Sequence, residues 1–174
     1  MSRDKALQII QQEHLPSGHF TLLGSCAACM QGVLKREERD IDIGVDKYVW
    51  DLLKQKHTVT VRQVADGKYA GKKFETILLS DDGTVEAFPL FVPPFENYDL
   101  LSFSHLIYNL ETGPLPVTDP EIILAIKRDM NRTKDKADCK EIETKIHQTQ
   151  ENEAFFKLTV SMIIKPKKLN STIH

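Results

Sequence analysis

The run Asp40-Ile41-Asp42-Ile43-Gly44-Val45 alternates at a strict period of two, with aliphatic side chains at every second position. That period fits a β-strand with one buried face. Successive strand side chains point to opposite faces, so Ile41, Ile43 and Val45 share the core side. Asp40 and Asp42 share the other, with Cα atoms about 6.5 Å apart. Two carboxylates this close repel unless a cation lies between them, and oxygen ligands of this type suit Mg²⁺ or Mn²⁺. The alternative is a solvated sheet face bearing two acids, which is the commoner fate of so short a pattern.

The residues upstream favour the first reading. His19-Phe20-Thr21-Leu22-Leu23 reads as a short buried strand running into Gly24-Ser25, and residues 26–34 suit a short helix. Glycine lets backbone approach a ligand closely, and a serine hydroxyl with helix N-terminal amides can hold a phosphate. Around this pair, residues 3–14 predict a first amphipathic helix, and Asp46 predicts a cap for a helix through about Lys54 that buries Trp50. Strands are predicted over 58–64, 73–79 and 85–91, with Ser80-Asp81-Asp82-Gly83 as a hairpin turn between the last two. Residues 92–117, rich in Pro, Asn and aromatic residues, carry no assignable period. Asp119-Pro120 marks a helix start, and helical pattern resumes from Lys134 to about Leu158.

With 174 residues, 41% of them hydrophobic and 28% charged, the chain has material for one core. One domain over residues 1–164 is expected, followed by a frayed basic tail at 165–174. A net charge of −2 argues against a general nucleic-acid binder. The first residues lack an apolar run behind their charges, and no apolar stretch is long enough to span a bilayer. Three cysteines in a chain of this length suggest reduced thiols, so a cytoplasmic protein without membrane association is expected.

Taken together, Leu22-Leu23-Gly24-Ser25, fourteen intervening residues and Asp40-Ile41-Asp42-Ile43 resemble the opening signature of the DNA-polymerase-β-type nucleotidyltransferase superfamily. Within it the chain is most similar to the minimal enzymes that include abortive-infection-type toxins and small-molecule-modifying transferases. The resemblance covers about residues 18–141 and implies an α/β (α+β) fold: a mixed sheet flanked by helices, with further helices C-terminal. It also implies a third acid on a neighbouring strand. Glu86 in Thr84-Val85-Glu86-Ala87-Phe88 is the best match, with Glu75 as runner-up. Asp40, Asp42 and that acid would hold the two metal ions of nucleotidyl transfer, with a nucleoside triphosphate as co-substrate.

The segment Glu121–Asp138 resembles the late motif of the same superfamily. Read as one helix, it places Ile123, Ile126 and Met130 on a core face, and Lys127, Lys134 and Asp138 together on another. Lys134 and Asp138 could equally form an ordinary i,i+4 surface pair. The resemblance implies that Lys127 meets the triphosphate, with Arg132, Lys134 and Asp135 lining the site beside Gly24 and Ser25. A small molecule, a tRNA end or a protein side chain would serve as acceptor. The lack of a second sizeable domain favours a small acceptor, or acceptor binding across an oligomer. A second reading is a catalytically weak nucleotide- or partner-binding module, for example within a toxin–antitoxin pair. Cys26-Ala27-Ala28-Cys29 lacks the further ligands of a zinc site, Gly67–Lys73 lacks the spacing of a phosphate-binding loop, and the histidines form no ligand pattern.

Overall fold

The alternating run forms a strand over Ile41–Val45, with Asp40 immediately ahead of its first residue. This is β2 of a computed structural model that describes residues 2–36, 40–109 and 113–163. The preceding elements are α1 (Ser2–Gln12), β1 (Phe20–Leu23) and α2 (Gly24–Met30). After β2 come α3 (Lys47–Lys56), β3 (Val59–Gln63), β4 (Lys73–Leu78) and β5 (Val85–Pro89). A single 3-10 turn at Phe95–Asn97 leads to β6 (Ser104–Asn109), β7 (Gly113–Thr118), α4 (Pro120–Met130) and α5 (Thr133–Ile163). The expected tail at 165–174 lies outside the described residues.

The seven strands form one mixed sheet in the order β3-β4-β5-β2-β1-β7-β6. β2 runs parallel to β5, and β1 parallel to β7, while the other neighbours are antiparallel. This is the helix-flanked mixed sheet with C-terminal helices expected from the sequence. Ile41, Ile43 and Val45 are buried as their period requires, among Leu22, Ile77, Val85, Ala87 and Val117 of neighbouring strands. Ala6, Leu7 and Ile9 of α1 and Val49, Trp50 and Leu53 of α3 complete that core. Burying these side chains removes apolar area from water at about 25 cal/mol per Å². Asp46 caps α3 as expected, its Oδ1 accepting from the Val49 amide at 3.0 Å.

Three local expectations need correction. The stretch without assigned structure contains the β6–β7 hairpin, in which Pro114 and Pro116 sit opposite Tyr108 and Leu106. Prolines cannot donate to a ladder, which hides a strand from pattern reading. The helix read through Glu121–Asp138 is broken: Asn131 takes a left-handed conformation (φ 49°) that ends α4, and α5 starts at Thr133. Asp119 precedes α4 but gives it no side-chain cap, because its Oδ1 bonds His105 Nδ1 at 2.5 Å.

Candidate active site

Register sets the three acids. Leu23 lies opposite Asp42, and Asp42 lies opposite Glu86, so these side chains share the sheet face opposite Ile41, Ile43 and Val45, where Leu23 is buried in a second apolar cluster with Leu90, Leu100, Ile126 and Met130. Asp40 sits one residue ahead of β2 and is exposed, where the Ile41 amide already donates to Thr84 O at 2.8 Å. All three acids line one cavity of about 430 Å³. Glu75 does not. Leu78 is the register partner of Glu86, so the period of two puts Phe74 and Thr76 on the cavity face and Glu75 on the other, where it is exposed.

Burial pushes the Asp42 carboxyl above its usual range; Lys134 opposes this, Asp40 adds to it, and Lys127 and Arg132 oppose it further. Burial likewise raises Glu86 to about 6, against the pull of Arg62 and with help from Asp42 and Asp40. The folded protein therefore holds the Glu86 proton more tightly than the unfolded chain does. The stability this contributes is lost as pH rises from about 4.5 through about 6. Glu86→Gln should flatten that part of the pH profile, measured by urea unfolding in EDTA. An unchanged slope would show that Glu86 is not the group responsible.

Gly24 opens α2 with φ +63°, and a Cβ there would lie 2.5 Å from Asp42 Oδ2. Only a residue without a side chain lets β1 turn into α2 directly against this carboxylate. Gly24→Ala should cost more than about 1 kcal/mol in stability, through the left-handed backbone alone. It should also weaken divalent-ion binding by displacing Asp42, which Mn²⁺ titration would register.

The residues expected around the triphosphate are divided between the cavity lining and the layer behind it. Lys127, Arg132 and Lys134 line the cavity, whereas Ser25 and Asp135 are absent from its lining. Lys127 is 4% exposed, and its Nζ bonds Asp138 Oδ2 at 2.8 Å and Ser25 Oγ at 3.2 Å, with Asp135 Oδ1 at 3.5 Å. Arg132 grips Asp135 with two bonds, Nε to Oδ2 at 2.7 Å and Nη2 to Oδ1 at 3.0 Å. Burial works to raise the Asp135 carboxyl, but the Arg132 bonds and charge, with Lys127 behind them, hold it below its usual range. Ser25 and Asp135 thus stand behind the cations and position them. The Lys134–Asp138 surface pair is not formed; Asp138 is buried and takes Lys127 and Arg36 Nη1 at 3.0 Å instead.

Several cavity residues were not singled out in the sequence. Arg62 on β3 pairs with Glu86, and Phe74, Phe88 and Phe95 supply an aromatic side. Gln63 to Asp66, from the end of β3 into the loop that follows, also line the cavity. That loop is tied to the α4–α5 turn by Asp66 Oδ2, which accepts from the Thr133 amide at 2.7 Å. Lys68 N also donates to Met130 O at 2.9 Å, and Tyr69 Oη to Asp129 Oδ2 at 2.6 Å. Of these, only Arg62 could have been found in advance, as the one charged position of a strand whose alternation places it on the acid-bearing face.

No family model matches the sequence, and no curated protein matches it. Among solved structures, the chain is similar to a proposed nucleotidyltransferase of Thermotoga maritima. The two share 16% identity over 92% of this chain and 96% of that one, with a TM-score of 0.47. The chemistry therefore rests on the residues of the cavity themselves. Among the described residues no helix is long and apolar enough to cross a membrane.

Proposed function

We propose that this cavity transfers a nucleoside monophosphate from a nucleoside triphosphate to an acceptor hydroxyl, with Mg²⁺ or Mn²⁺ held by Asp40, Asp42 and Glu86. The observation that carries the reading is the pairing of Asp42 with Glu86 across β2 and β5, in a cavity that Lys127, Arg132 and Lys134 also line. Carboxylates and cations in one cavity match the two halves of a metal–triphosphate complex.

The donor set fits a hard divalent ion: it is all oxygen, and Glu86 Oε1 is buried and accepts no hydrogen bond. Among the described residues no three His, Cys, Asp or Glu side chains stand as a ready-made ligand group. When bound, the ion neutralises charge on the phosphate oxygens and makes the acceptor hydroxyl easier to deprotonate. Lys134 and Arg132 hold the leaving phosphates by charge, Lys127 adds a fixed positive charge from below, and the phenylalanines exclude water from the reacting end. The acceptor would be a small molecule, a tRNA end or a protein side chain. Incubation with each triphosphate and Mg²⁺ against pooled tRNA, lysate protein and small molecules, read by mass spectrometry, tests the reading. Absence of any nucleotidylated product in all three pools would overturn it.

The commitment of Lys127 to two buried aspartates favours a second reading: a nucleotide- or partner-binding module that turns over slowly, as in a toxin–antitoxin pair. Nucleotide-dependent stabilisation without metal-dependent triphosphate exchange would decide for it.

A further inference from the structure

Two arginines of this cavity are held in opposite ways. Arg132 is fixed to Asp135 by two directed hydrogen bonds of 2.7 and 3.0 Å. Arg62 meets Glu86 as an ion pair across strands, with Nη2 against the buried Oε1. The Arg62 side chain is 57% exposed and that of Glu86 only 6%. A solvent-borne arm from the edge strand thus reaches a carboxylate sunk in the sheet. Register puts both on one face, since Arg62 pairs with Phe74, and Phe74, Thr76 and Leu78 share that face with Glu86, the partner of Leu78. Among the described residues Arg62 is the cation that contacts Glu86; Lys134, Lys127 and Arg132 direct their charge at Asp42.

We propose that Arg62 is the displaceable counter-cation of Glu86, so that its guanidinium and a divalent ion exclude each other from Oε1. The inference rests on the metal-site reading above and adds to it a residue that sets how tightly the site takes its ion. Only the arginine side of this contact is exposed, so salt screens Arg62 while Glu86 stays buried, which suits a partner that has to leave. Leaving costs Arg62 little, because half of its side chain is already in water. A divalent ion replaces one positive charge with two at the same carboxylate, and so wins the exchange.

The test is Mn²⁺ binding by isothermal titration at pH 7.5 and low salt, on wild type, Arg62→Gln, Glu86→Gln and the double variant. Arg62→Gln should bind Mn²⁺ roughly fivefold more tightly than wild type, a size typical of a partly screened charge contact. The difference should shrink as salt is raised. In the Glu86→Gln background the Arg62 substitution should have no effect. Arg62→Lys keeps the charge and should bind as wild type does, which also controls for any loss of structure in Arg62→Gln. Equal or weaker binding by Arg62→Gln overturns the proposal. So does a gain that persists with Glu86→Gln, because Arg62 would then act only by repulsion across the cavity. The two readings fail separately. If wild type and Asp42→Asn bind Mn²⁺ alike or not at all, the metal site itself is wrong. If Asp42→Asn loses binding while Arg62→Gln matches wild type, only this inference falls.

Discussion

Lys127→Ala should lower the unfolding free energy by about 3 kcal/mol, because it takes the buried cation out of a buried charge network and leaves Asp138 to the part-exposed Arg36 and Asp135 to Arg132 alone. Asp138 and Asp135 are 4% and 1% exposed, and Lys127 Nζ lies 2.8 and 3.5 Å from them. A Lys that only met phosphate would behave differently: its removal would cost one charge-assisted contact, about 1.5–3 kcal/mol of nucleotide affinity, and leave the fold untouched. Urea unfolding without ligand separates the two. Lys127→Ala combined with Asp138→Asn should recover part of the loss, since one buried charge that has lost its nearest cation is gone. Wild-type stability in the single variant would show that the lysine is not held in a buried network, and would return it to the role of a simple phosphate contact.

Asp42→Asn should have the opposite profile. Its carboxyl is pushed up by burial and by Asp40, so in EDTA the amide should melt at the same temperature as wild type or higher. With Mg²⁺ and a triphosphate together, wild type should gain stability by mass action, about 2.7 kcal/mol at a hundredfold excess over the dissociation constant. Asp42→Asn should gain almost none and should transfer no nucleotide. Asp40→Asn should lose the ligand response in the same way, with less change in EDTA because Asp40 is exposed. Full ligand response in both variants would remove these acids from the metal site.

What could be read in advance depended on how local its cause was. The period of Asp40–Val45, the Asp46 cap and the turn at Ser80–Gly83 are set by neighbours in the chain, and each formed where expected. The ranking of Glu86 above Glu75 rested on resemblance, and the register of β4 on β5 supplied the physical reason. What escaped was tertiary. Lys127, Lys134 and Asp138 were spaced for one helix face, but the left-handed Asn131 folds α5 back so that Asp138 meets Lys127 across a turn. Ser25 and Asp135 have the residue types of ligand contacts but lie outside the cavity lining, bonded to Lys127 and Arg132. The link from Asp66 to Thr133 joins residues 67 apart, and no spacing rule foresees it.

The cavity draws on three stretches of chain: the β1–β2 region, the β3–β5 meander with Phe95, and the α4–α5 turn. During synthesis these emerge in that order. A ribosome-bound chain that had released residues up to Val117 could assemble the whole sheet, with Asp40, Asp42 and Glu86 already in place. It would still lack Lys127, Arg132 and Lys134, so the young protein would carry its acids uncompensated by those cations until the last turn arrived. The partly buried Cys139 and the buried Ile142 follow a few residues behind, so the arrival of positive charge and the completion of the core come together at the end of synthesis.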